Sequence, residues 1–169
     1  MLEKLKYNNK QNGFTLIEVF IAISILAIGI VGAFGVLPTM IKNQTMNTDK
    51  FLASQIANEG MELVRNLRDN NWLNEQPWDT GLDDGFIDCN TANGCEVDYS
   101  GPLQVGSNRY LQVDPINGFY NYGVGSSSKF KRKITINLTT PTTLNVKVEV
   151  SWNGNGSPFL IEENFYDWR

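Results

Sequence analysis

The chain has 169 residues and a formal net charge of −4, enough for one modest domain plus an extended segment. It contains no histidine, so the commonest general base, the commonest zinc ligand and every Ser-His or Cys-His nucleophile pair are missing. Setting aside the three lysines and one glutamate of residues 1–13 leaves eleven basic and seventeen acidic residues, a body of net −6 that argues against broad nucleic-acid binding.

Residues 1–13 are polar and basic, with Lys4, Lys6 and Lys10, and are too short to fold. Residues 14–37 are apolar, and Glu18 is the one charge among them. As a helix this run is about 36 Å long, enough to span a bilayer core with some tilt. A carboxylate at that depth is costly unless something pairs with it. A basic leader before an acidic remainder fits the positive-inside rule, with the leader cytoplasmic and the rest outside. A secretory signal is the competing reading, with Ala33-Phe34-Gly35 as a passable cleavage site. The run is longer than a usual signal core, and a glutamate near its start is unhelpful there. Gly29, Gly32 and Gly35 followed by Pro38 mark the section easiest to bend or unwind. Membrane helices also tolerate these residues, and Gly29 with Ala33 forms a small-xxx-small packing pair.

The helical pattern resumes over residues 38–70. Leu52, Ala53, Ile56, Ala57, Gly60, Leu63, Val64 and Leu67 recur at spacings of three and four, while Asp49, Lys50, Glu59, Glu62 and Arg65 fall mostly on other faces. This stripe needs a sheet to lie on. The helix is expected to end near Asp69-Asn70-Asn71, and turns and strands begin from Trp72, giving a β-rich head over residues 71–169. Short strands are expected at 109–114 and 119–122. Two stronger ones, at 130–138 and 144–152, alternate apolar and polar residues and are joined by Thr140-Pro141-Thr142-Thr143. Asn153-Gly154-Asn155-Gly156 is a further turn, before a last strand at 159–165.

The remaining motifs are weaker. Cys89 and Cys95 enclose Asn-Thr-Ala-Asn-Gly, whose Asn93-Gly94 turn brings them together. In an exported domain they are expected to form a disulfide that shapes a surface loop more than it holds up the fold. Asp79, Asp83, Asp84 and Asp88 are weak calcium candidates. Their spacing does not fit an EF-hand, and turn-forming aspartates are the preferred reading. Lys129, Lys131, Arg132 and Lys133 form a basic run whose lysines share the solvated side of a strand. Trp72, Trp78 and Tyr99 offer either a stacking surface or core and loop packing, and packing is preferred. Asn137-Leu138-Thr139 is a glycosylation sequon of a kind common by chance. Nothing here calls for a cofactor or a resident metal.

The segment Gly13-Phe14-Thr15-Leu16-Ile17-Glu18-Val19 resembles the N-terminal cleavage and methylation motif of type IV prepilins and type II secretion pseudopilins. More loosely, Ala57-Asn58-Glu59 to Leu67-Arg68, Val150-Ser151-Trp152 and Tyr166-Asp167-Trp168 resemble PilV-like minor pilins. The resemblance implies an α+β pilin-like fold, with a long N-terminal helix, half membrane and half packed on an antiparallel sheet. It implies a prepilin peptidase that cuts between Gly13 and Phe14 and methylates the new Phe14 amine. Other pilins or pseudopilins and an inner-membrane assembly platform are the implied partners. The implied location is the bacterial inner membrane, single-pass with the N-terminus cytoplasmic, then a pilus or a periplasmic or extracellular filament. Glu18 would pair with the N-terminal amine of a neighbouring subunit. At four residues from Phe14 it also reaches its own amine, and the helix dipole favours a carboxylate there. Gly13 lets a protease approach the backbone closely. The expected function is that of a filament subunit without catalysis, in a type IV pilus or, alternatively, a type II secretion system. A single-span anchor for a binding or metal-dependent domain, never assembled into filaments, is the reading from another class.

Overall fold

A computed structural model describes residues 13–82, 85–152 and 157–168. The leader lysines, Asp83, Asp84 and the expected turn at 153–156 lie outside these residues. The chain divides into two units, Met1–Thr45 and Met46–Arg169. Helix α1 (Leu16–Leu73) supplies the structure of the first and opens the second.

In the first unit the apolar side chains of α1 are exposed all round, and the helix is long and apolar enough to cross a membrane. Two of its hydroxyls turn back on the helix. Ser24 Oγ donates to the Phe20 carbonyl at 2.8 Å and Thr45 Oγ1 to that of Ile41 at 3.1 Å, so neither hydroxyl presents an unmet donor to an apolar surrounding. The section expected to loosen, Gly29 to Pro38, is helical throughout. Pro38 forfeits one hydrogen bond, and the turns on either side carry the helix across it.

In the second unit α1 buries a stripe of Ala53, Ile56, Ala57, Gly60, Met61 and Val64. These positions fall three and four apart, as one helix face requires. The face lies on a five-stranded antiparallel sheet of β1 (Cys95–Glu96), β2 (Gln104–Val105), β6 (Phe130–Thr140), β7 (Thr143–Trp152) and β8 (Phe159–Tyr166), in the order β2-β1-β6-β7-β8. Register puts Ile134 opposite Val148 and Ile136 opposite Val146, all buried beneath the helix. Each such aliphatic side chain contributes about 1.5–3 kcal/mol when fully buried, which makes this layer the main stabilising element of the head. The other face carries Lys133 opposite Glu149 and Asn145 opposite Asn164, the pattern of a sheet with one solvated side. β8 ends the sheet and bears Glu162 and Glu163. A smaller sheet of β3 (Gln112–Val113), β4 (Tyr120–Asn121) and β5 (Ser126–Ser127) has the order β4-β3-β5.

Several expectations are corrected. α1 reaches Leu73, so Trp72 is a buried helix residue, set edge-on to Trp168 at 4.4 Å, and does not begin the turns. The helix then stops in a Schellman cap. The Gln76 N–H bonds the Asn71 carbonyl at 2.9 Å and the Glu75 N–H that of Trp72 at 3.2 Å, with Glu75 at φ 58°. The strands expected at 109–114 and 119–122 shrink to two residues each. Asp49 is buried instead of lying on an outer face, and it pairs with Lys129. Arg132, the member of the basic run that does not share the lysines' side, has a fully buried side chain on the inner face of β6. Its Nη atoms donate to the carbonyls of Ile56 (3.2 Å) and Val97, and it meets Glu59 at 3.4 Å. Gly60 makes room for it: a Cβ there would fall 2.8 Å from Arg132 Cδ.

Candidate functional site at the N-terminal junction

Thr15 and Glu18 organise the start of α1. The Thr15 carbonyl accepts the Val19 N–H at 3.2 Å, the first intrahelical bond, which makes Thr15 the N-cap and Glu18 the third helical residue. Glu18 Oε2 accepts the Thr15 N–H and the Thr15 hydroxyl, both at 2.9 Å. Thr15 Oγ1 in turn accepts the Glu18 N–H at 3.3 Å. This is a reciprocal capping box, and it satisfies two donors that a helix start leaves bare. The carboxylate also sits where the positive end of the helix dipole favours it. The Thr-x-x-Glu spacing ahead of an apolar run is visible in the sequence, yet reading Glu18 only as a charge in search of a cation misses Thr15.

Gly13 and Phe14 precede the helix. Phe14 is 87% exposed, and no atom of the described residues lies within 4 Å of where a Gly13 side chain would begin. Gly13 and Phe14 are therefore exposed among the described residues and lie outside the helix. Cutting the bond between them would leave an amine on the residue next to the N-cap, within the same turn as the Glu18 carboxylate. Glu18 is thus joined to Thr15 at the start of α1, with Gly13 and Phe14 just before it in the chain, while Gly29, Gly32, Gly35 and Pro38 lie further along α1.

The other candidates are structural in their geometry. Cys89 and Cys95 form a disulfide with Cα atoms 4.9 Å apart. Both are buried in the core, so the link fastens the 90–94 loop to the interior and is more than the surface feature expected. Gly94, at φ 63°, closes that loop against Lys133 and Ile134, where a Cβ would fall 2.5 Å from Lys133 Cγ. Asp88 accepts the Asn90 N–H at 2.8 Å and the Asp79 carbonyl accepts the Leu82 N–H at 2.8 Å, both turn contacts. Among the described residues no group of carboxylates is set to hold a metal. Trp72 and Trp78 are core, and Tyr99 packs edge-on against Phe119 at 5.6 Å. Lys131 lies over the Tyr110 ring and Lys133 pairs with Glu149, so the basic run is largely spent within the head.

Asp98 and Glu96 anchor the loops beside β1. Burial raises the Asp98 carboxyl, but hydrogen bonds from Ser100 and the Tyr122 N–H, with the charge of Arg132, bring it below the usual carboxylate range. Glu96 is buried and receives the Arg109 guanidinium at 2.7 Å. Burial pushes the Tyr122 phenol up to about 12, and its hydroxyl donates to the Arg132 carbonyl at 3.1 Å. Sequence reasoning missed this network because its members are brought together only by the tertiary fold.

The family described as the prokaryotic N-terminal methylation motif matches residues 8–34. No curated protein and no solved structure matches the chain. The matched segment covers the Gly13–Phe14 bond, the capping box and most of the apolar part of α1, and an antiparallel sheet follows it in the chain. That motif and that architecture are similar to those of type IV prepilins and pseudopilins, with an N-terminal helix long and apolar enough to cross a membrane.

Proposed function

We propose that this chain is a minor pilin of a bacterial type IV pilus, of the PilV-like kind. It is made as an inner-membrane precursor with a cytoplasmic leader (1–13), a spanning half-helix (14–37), a helix half that packs on the head (38–70) and the head itself (71–169). A prepilin peptidase cuts after Gly13 and methylates the Phe14 amine, and the inner-membrane assembly platform then adds the subunit to other pilins. It works by assembly and carries out no catalysis of its own.

The observation that carries this reading is the placement of Glu18. It is the one charge among residues 14–37, and it stands one helical turn from the bond to be cut. Before cleavage Thr15 satisfies it. After cleavage a cationic amine is available on its own chain and on a neighbour, and an unpaired charge in an apolar filament interior is penalised. The pair therefore sets axial register, while Ile17, Ile21, Ile25 and Ile28 pack helix on helix. In a filament the Gly29–Pro38 section is where the helix loosens.

N-terminal sequencing and mass measurement of the mature protein test this. A start at methylated Phe14 in sheared pili supports it. An intact Met1 supports a permanent membrane anchor, a start near Val36 a secretory signal, and recovery only with a type II secretion fibre the pseudopilin reading.

A further inference from the structure

The three-stranded sheet ends in an apolar tip that the head does not cover. Ile116 is 94% exposed, Val124 73% and Phe119 59%. Their turns are held by side-chain bonds to the backbone. Asp114 accepts the Ile116 N–H, Asn117 that of Phe119, and Asn121 that of Val124, each at 2.8 Å. The Gly125 backbone lies tight against Val113, which seats Val124 beside the β3–β4 turn. Tyr99 packs on Phe119 and reaches Asp114 with its hydroxyl at 3.3 Å. Apolar side chains fixed outward in this way are a candidate docking surface.

Position identifies the partner. α1 crosses the large sheet in the direction of β6: Asp49 pairs with Lys129 just before that strand, Gly60 lies on Arg132, and Arg68 stacks on Phe165 near the end of β8. β3 and β5 extend backward from the start of β6, where Leu111 bonds Ser128 and Phe130. Residues 114–119 therefore lie at the Asp49 end of the head, the end at which the chain arrives from its apolar segment. Only residues 38–45 separate Leu37 from Met46, a reach of at most about 32 Å even when fully extended. If residues 14–37 span a bilayer, the start of the head cannot leave it by more than that reach. Aromatic and branched apolar side chains partition into the headgroup boundary of such a bilayer.

We propose that the Ile116–Phe119–Val124 tip, with Tyr99 beside it, docks on the lipid surface and parks the head against the membrane. This rests on the reading of residues 14–37 as membrane-spanning. Asp114 beside the tip disfavours an anionic surface, so phosphatidylcholine vesicles are the fair probe.

The test uses the full chain, reconstituted in such vesicles with and without bromine on the upper acyl chains, a quencher of indole emission. Phe119→Trp keeps an aromatic ring at the tip, and Ile116→Trp is a second reporter at a freely exposed site. The emission either one adds to that of the parent is expected to be lost in brominated vesicles. That of Thr139→Trp, at the β6–β7 hairpin, is expected to persist. Adding Ile116→Asp and Val124→Asp to Phe119→Trp is expected to restore emission. If the chain floats with the vesicles but both tip reporters are quenched no more than Thr139→Trp, the docking proposal is overturned and the anchor reading stands. If the chain does not float, both are overturned.

Discussion

The Glu18 carboxylate and the Thr15 hydroxyl hold each other's backbone N–H groups, at 2.9 and 3.3 Å. The same carboxylate thus already has one partner, and under the proposed cleavage of the Gly13–Phe14 bond it would gain another. Glu18→Ala is expected to leave membrane insertion intact, because the apolar run is unchanged, and to impair incorporation into filaments. Membrane fractionation against recovery in sheared pili measures both, and normal incorporation would sink the pairing argument. Replacing Gly13 by a bulky residue is expected to leave uncut precursor in the membrane, visible as the larger species on a denaturing gel.

Glu75 occupies the left-handed position of the cap that ends α1, where glycine is the unstrained residue. Its side chain is exposed. Glu75→Gly is expected to stabilise the head by up to about 1 kcal/mol, since relief of backbone strain outweighs the extra freedom of the unfolded chain. Thermal unfolding of the full chain should show a midpoint raised by a few degrees.

Gly60 is the notch through which Arg132 passes beneath the helix. Alanine would gain about 1 kcal/mol of helix propensity, but its Cβ collides with Arg132 and Val148. Overpacking of this kind costs about 1–3 kcal/mol, so Gly60→Ala is expected to destabilise the head. Arg132→Met is expected to destabilise it as well, because the Val97 carbonyl loses its donor. The double variant should lose less than the sum, and additive losses in denaturant unfolding would show that the two residues do not compete for space.

Asp98 and Glu149 both sit below the usual carboxylate range, Glu149 chiefly through its bond from Lys133. A depressed folded-state value means stability that is present above the unfolded value, near pH 4, and is lost as pH falls through the folded value. The head is therefore expected to weaken below about pH 4. Asp98→Asn should flatten that acid limb, as read by unfolding midpoints across the range, and an unchanged limb would remove Asp98 from its causes.

Periodicity made the main architecture legible. The stripe from Ala53 to Val64 and the alternation through Ile134, Ile136, Val146 and Val148 each point to one face, and those faces meet in the structure. Strands β1 to β5 have two residues each, too few for any alternation to register. Arg132 was open to a parity argument, since it shares a side with Phe130 and Ile134. Its partners, the carbonyls of Ile56 and Val97 and the Glu59 carboxylate, come from distant parts of the chain and are not legible in the sequence. The Glu96–Arg109 pair joins residues thirteen apart across two loops, a contact that no local pattern encodes.

The last strand of the large sheet leaves one edge without a neighbour among the described residues, and Glu162 and Glu163 lie along it. Edges of that length are templates for runaway pairing, and adjacent like charges are a common means of blunting them. Arg65 pairs with Glu163, so Glu162 is the carboxylate less neutralised along that edge, and two copies meeting edge to edge would set these acids against each other. An edge blunted in this way would disfavour strand pairing between heads and leave association to the apolar N-terminal helix.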